Sequence, residues 1–149
     1  MDIVRVFETY CTDNNIHFEY GSKAHLNLIE GELDPDKVYL LLFPVNRSKN
    51  KNQLNTKLKG KTYNGNFFLL KNGDYTESYF KENGTDVSDS KYAKNIEPLE
   101  ALHDLIGNYF IGGCGYDFEL DVWNNVDAIN VLDANKDGLW CTYTIRIDE

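Results

Sequence analysis

The sequence predicts an α+β protein: an antiparallel β-sheet with a long hairpin, flanked by an N-terminal and a central α-helix. Three observations carry this. Two segments place apolar residues at helical spacing, and several others are strand-like, either alternating or continuously apolar. The order is helix, strands, helix, strands, which suits a sheet with its helices on one face. The 149 residues, 42% hydrophobic and 13% aromatic, suit a single domain over 1–149 with one core, and that apolar content is too high for a disordered chain.

At the N-terminus, Ile3, Val4, Phe7, Tyr10 and Cys11 share one helical face, with Asp2, Arg5, Glu8, Thr9 and Asp13 turned outward. Asn14 and Asn15 suit the helix end, because Asn tolerates the left-handed cap. "IHFEYG" alternates as a short strand, "HLNLIEGEL" reads as a second, and "DPDK" is a turn whose backbone Pro35 presets. "VYLLLFPVNR" is a central strand, apolar on both faces until Pro44 sends it toward an edge or bulge.

"GNFFLLKNGD" is a second strongly apolar strand, closed by the turn signal Asn72-Gly73. Together these two strands predict a long hairpin whose tip is a basic arm or loop at about 46–63. A loop of that length in a small domain is functional or disordered. Residues 75–95 are polar and read as an excursion, with one short strand at 75–80. "IEPLEALHDLIGNYFIGG" predicts the second helix: Leu99, Leu102, Leu105, Ile106, Tyr109 and Phe110 follow its spacing. Pro98 sits in the first turn, Glu97 and Glu100 favour the positive end, and Gly112 and Gly113 terminate it. His103 lies between polar faces of this helix and is expected at the surface or boundary. "YDFELDVW", "VDAINVL" and "LWCTYTIRI" predict a three-stranded meander, with Leu139, Cys141, Tyr143, Ile145 and Ile147 inward.

Charge and composition restrict function. No apolar run approaches the roughly 20 residues of a membrane span, and the N-terminus lacks the apolar core of a signal peptide; a soluble, intracellular chain is expected. Three cysteines far apart, with no C-x-x-C pair, predict reduced, buried thiols. The three histidines show no i, i+4 metal spacing, so no zinc site or other cofactor is expected. Formal net charge is −9, yet Arg47 to Lys61 holds Arg47, Lys49, Lys51, Lys57, Lys59 and Lys61 and no acidic residue. An acidic body repels nucleic acid in general. The basic segment is either a solvated loop or a contact for an acidic protein surface or a passing duplex.

Two motifs invite a chemical reading. Asp133, Asn135, Asp137 and Gly138 follow the D-x-N-x-D-G opening of a calcium loop. Position 12, where a bidentate Glu closes the coordination shell, is Thr144, and strand-like residues replace the exiting helix. A tight turn accounts for the same residues, since Asp and Asn bond their own backbone. Asp133, Asn135 and Asp137 remain weak metal candidates, and a small calcium- or ligand-binding module is the alternative function. Asp117, Glu119 and Asp121 form an acidic row about 7 Å apart along one strand face. It is a solvated face, an interface for a basic surface, or a metal or acid/base site. "GGCGYDF" follows a helix, the wrong place to cradle a phosphate. No nucleophile-elbow, H-E-x-x-H or P-loop pattern is present, and no enzyme is expected.

The organisation, the Asn-, Lys- and Tyr-rich texture of the sequence and its ending "WNNVDAINVLDANKDGLWCTYTIRI" resemble the tail-completion, tail-terminator and neck-ring proteins of tailed bacteriophages, in the style of crAss-like phages of Bacteroidetes. The resemblance implies a non-enzymatic virion protein of the head–tail connection, assembled in the host cytoplasm. It implies a homo-oligomeric ring touching portal, neck or tail proteins, with heterologous contacts between copies, no membrane, and at most transient contact with passing DNA. The basic arm would then reach a neighbour or line the channel.

Overall fold

The computed structural model of the chain describes residues 2–21, 37–72, 92–131 and 136–148. Two α-helices, α1 (Ile3–Asp13) and α2 (Glu97–Asn108), accompany strands β1 (His17–Tyr20), β2 (Tyr39–Leu42), β3 (Asn46–Lys51), β4 (Leu58–Asn72), β5 (Phe118–Val131) and β6 (Lys136–Asp148). Wider π turns, Tyr92–Ile96 and Tyr109–Gly113, extend α2 at both ends. Among the described residues no helix is long and apolar enough to cross a membrane.

The six strands form one sheet in the order β1-β2-β4-β6-β5, with β3 also on β4. It is α+β, as expected, but mixed instead of antiparallel throughout, because β1 runs parallel to β2 with His17 beside Tyr39. β2 and β3 lie in succession along one side of β4, which therefore spans 15 residues. Pro44 stands in the gap between them, where its missing N–H breaks no ladder bond. The "loop" from Arg47 to Lys61 is instead mostly strand: Arg47 pairs with Tyr63, Lys49 with Lys61 and Lys51 with Leu58. Only Asn52 to Lys57 turn. The Asn52 side chain accepts the Thr56 N–H at 3.0 Å, and Asn55 takes a positive φ of 55°; local side-chain bonding of this kind shapes a turn without distant contacts.

The expected three-stranded meander is a two-stranded hairpin. β5 runs unbroken through Asn124 and Asn125, paired to β6 from Phe118↔Ile147 to Val131↔Lys136, with bulges near Asp121 and after Ala128. The short strands expected at 25–33 and 75–80 lie outside the described residues, as does most of the polar excursion.

The main core lies between the helices and one face of the sheet. Ile3, Val6, Phe7, Tyr10 and Cys11 of α1 and Leu99, Ile106 and Phe110 meet Tyr63, Phe67, Leu69, Leu139, Cys141, Tyr143 and Ile145. Phe7 is the joint. Its ring lies 4.8 Å from Phe110, 5.3 Å from Phe67 and 5.6 Å from Tyr143, tying α1 to the segment after α2 and to the two central strands. Burying each such side chain contributes about 1.5–3 kcal/mol. The opposite face has its own apolar group, Tyr39, Leu41, Phe68, Leu70 and Ala128, with Phe43 and Trp140 beside it. This is why β2 and the middle of β4 are apolar at consecutive positions.

Candidate functional site

The basic residues are gathered on a structured arm. Arg47, Lys49 and Lys51 alternate along β3, so they share a face, and Lys61 stands directly across from Lys49. Like charges directly opposed across two strands are destabilising, so this pair is not explained by stability. Arg47 is anchored to the body: its guanidinium donates to both carboxylate oxygens of Asp2, at 2.7 and 3.2 Å, which also raises its pKa. Lys49, Lys51, Lys57, Lys59 and Lys61 have no ion-pair partner among the described residues. Leu54 at the tip is 80% exposed and Leu58 55%. The arm therefore presents free cations together with apolar side chains.

The far edge of the sheet has the opposite sign. Among the described residues β5 pairs only with β6, and Asp117, Glu119, Asp121 and Asp127 along it are exposed. The row is not a regular ladder. Asp117 precedes the strand, and Asp121 occupies a bulge. Arg146 of β6 holds Glu119, Asp121 at 3.3 Å and Asp148 at 3.0 Å. One arginine already occupies the centre a metal would need, and the surrounding carboxylates leave the cluster net negative. As a surface network it adds little to stability.

Of the calcium-loop residues, Asp133 and Asn135 lie outside the described residues. Asp137 is placed inside β6, opposite Lys71, and is fully buried. Its carboxylate accepts from Asn95 Nδ2 at 3.4 Å. Antiparallel strands flank the connection, where an EF-hand requires helices.

A further group was not legible. His103 is 2% exposed, not at the surface. Its ring stacks on Trp123 at 4.8 Å, 12° from parallel, and Trp123 Nε1 donates to the His103 carbonyl at 2.9 Å. Gly107 makes this possible: a Cβ there would come within 2.7 Å of Trp123 Nε1. Asn125 Nδ2 reaches both Glu100 Oε2 at 2.7 Å and His103 Nδ1 at 3.0 Å. Burial lowers the His103 pKa, against the pull of Glu100 and Asp104. The spacing Glu100-x-x-His103-Asp104 was the available signal. What concealed it was that the fourth residue, Asn125, comes from a strand that the sequence divides with a turn.

Cys11 and Cys141 are not poised as thiolates. Burial pushes the Cys11 thiol up to about 12 and raises Cys141 as well; both are buried and Cys114 is half-buried, and thiolates are the reactive form. A cleft of about 540 Å³ between α1 and α2, lined by Tyr10, Asn15, Ile16, Lys37, Leu102 and Leu105, has Lys37 as its one charged side chain. Comparison with protein-family models, curated proteins and solved structures found no match.

Proposed function

We propose that the chain is a non-enzymatic structural subunit that assembles head to tail into a closed ring, in the neck or tail of a tailed bacteriophage. One observation carries the reading: a structured arm of unpaired lysines and exposed leucines stands on one side of the sheet, and an acidic strand edge on the other. Opposite charge on two different surfaces of one chain favours a heterologous contact, in which the arm of one copy meets the β5 edge of the next. Repeated around an axis, such a contact closes into a ring. Complementary charge sets register and suppresses wrong pairings more than it adds affinity, so the exposed Leu54 and Leu58 supply the apolar part of the contact. Self-repulsion between Lys49 and Lys61, unfavourable in the isolated chain, is relieved once carboxylates of a neighbour stand against them.

The test is electron microscopy and light scattering of the purified protein, alone and with the portal of its phage. Ring-shaped particles of fixed diameter, seated on the portal, are the expected result. A chain that stays monomeric with portal present and is missing from purified virions removes the proposal.

A further inference from the structure

We propose that Glu100, His103 and Asp104, with the Asn125 carboxamide beside them, form a binding site for one divalent transition-metal ion of the Zn²⁺ class. The three residues fall at i, i+3 and i+4 of α2 and so share one helical face. One ligand atom from each lies within 4.8 Å of the others. Bonds of about 2.0–2.2 Å from a tetrahedral ion would place its ligand atoms roughly 3.4 Å apart. Glu100 and Asp104 are exposed, so movement of their side chains, with release of the Glu100–Asn125 hydrogen bond, closes the difference.

The histidine is the informative member. Asn125 Nδ2 lies between two acceptors, Glu100 Oε2 and His103 Nδ1. With Glu100 ionised the amide must donate to both, which leaves the Nδ1 lone pair unprotonated and places the ring proton on Nε2. That nitrogen is buried and has no hydrogen-bond partner. A buried polar atom without a partner is unfavourable, and an apolar side chain would avoid that cost in this aromatic setting, with Phe67 and Trp123 on hand. What the imidazole supplies is Nδ1, and Nδ1 converges with a carboxylate on one point. The amide hydrogens of Asn125 stand where a cation would, and rotation of the carboxamide would offer Oδ1 as a fourth ligand. Trp123 fixes the ring plane by stacking on it, and its indole N–H donates to the His103 carbonyl. One imidazole and two carboxylates select Zn²⁺, Co²⁺ or Ni²⁺ over Ca²⁺ and Mg²⁺, which take oxygen ligands. A search for paired histidines misses the site because two of its ligands are carboxylates.

The experiment uses the full chain with Cys114→Ser, so that the half-buried thiol does not compete for metal. Calorimetry with Zn²⁺ should show one saturable site in the micromolar range, and Co²⁺ should give the visible absorption of a four-coordinate ion while quenching Trp123 fluorescence. Glu100→Gln and Asp104→Asn alter exposed side chains and leave the fold intact; each should weaken binding ~10-fold or more. No saturable binding below millimolar Zn²⁺, binding that neither substitution changes, or a preference for Ca²⁺ or Mg²⁺ each overturns the proposal.

Discussion

His103 shows how a single residue departs from its sequence context. Glu100 and Asp104 flank it with charge, which reads as a polar helix face, yet the ring turns under Trp123 and is buried. Helical spacing places His103 on the face of the buried Leu99, Ile106 and Phe110, and β5 covers that face with Trp123; the flanking charges conceal it. By contrast, the inward set of β6 was legible almost residue by residue: Leu139, Cys141, Tyr143 and Ile145 are fully buried and Ile147, near the strand end, is half-buried, because strict alternation leaves only one register compatible with the core. The burial of His103 also has a consequence for pH. Its folded pKa lies below its unfolded value near 6.5. Above that value both states are neutral and the full stability is present. As pH falls, the unfolded chain takes a proton that the folded one resists, and stability declines. Urea unfolding of the metal-free protein should therefore show a larger loss between pH 7 and pH 5 in the wild type than in His103→Gln. Equal losses would mean that the imidazole titrates as freely in the fold as outside it.

At the scale of elements, the apolar strands, both helices and the end of α1 followed from pattern, and Asn15 does take the left-handed φ of 55° that its position calls for. Two elements were misread for one reason: polar residues in strands look like loops when their partners are distant in sequence. The basic segment became β3 and the start of β4 because β6 supports β4 from its other side, with Lys61 opposite Ile147. Asn124 and Asn125 stayed in β5 because Asn125 bonds Glu100 and His103 instead of its own backbone. The parallel placement of β1 had no local signal, since it depends on where the chain returns after residues outside the described set. Close approach at the β4–β6 contact makes a sharper prediction. A Cβ on Gly138 would lie 1.8 Å from the Leu69 carbonyl oxygen, and the obstacle is backbone, not a movable side chain. Gly138→Ala should destabilise by about 1–3 kcal/mol or more, as overpacking does, and the urea midpoint measures it. An unchanged midpoint would mean that β4 and β6 are not in the register described.

For the molecule as a whole, the dominant feature is where the charge lies. The net charge of −9 is unevenly distributed along the chain. Gathering Lys49, Lys51, Lys57, Lys59 and Lys61, which have no ion-pair partner among the described residues, on one arm and leaving β5 acidic makes two complementary surfaces at different places on the same molecule. The run of lysines and the row of carboxylates were both visible in the sequence. Their placement on opposite sides of one sheet was not, because the strand order sets it. The complementarity of these two surfaces is what the proposed assembly rests on. Mass photometry with charge-swapped variants tests it most directly, on the chain alone and with portal present. The wild type should give a closed ring of one defined mass. Lys49→Glu with Lys51→Glu should abolish it, as should Asp117→Lys with Asp127→Lys, which leaves the Arg146 cluster untouched. Combining all four in one chain should restore the ring. A wild type that remains monomeric with its portal, or rings indifferent to both pairs of substitutions, would contradict the account.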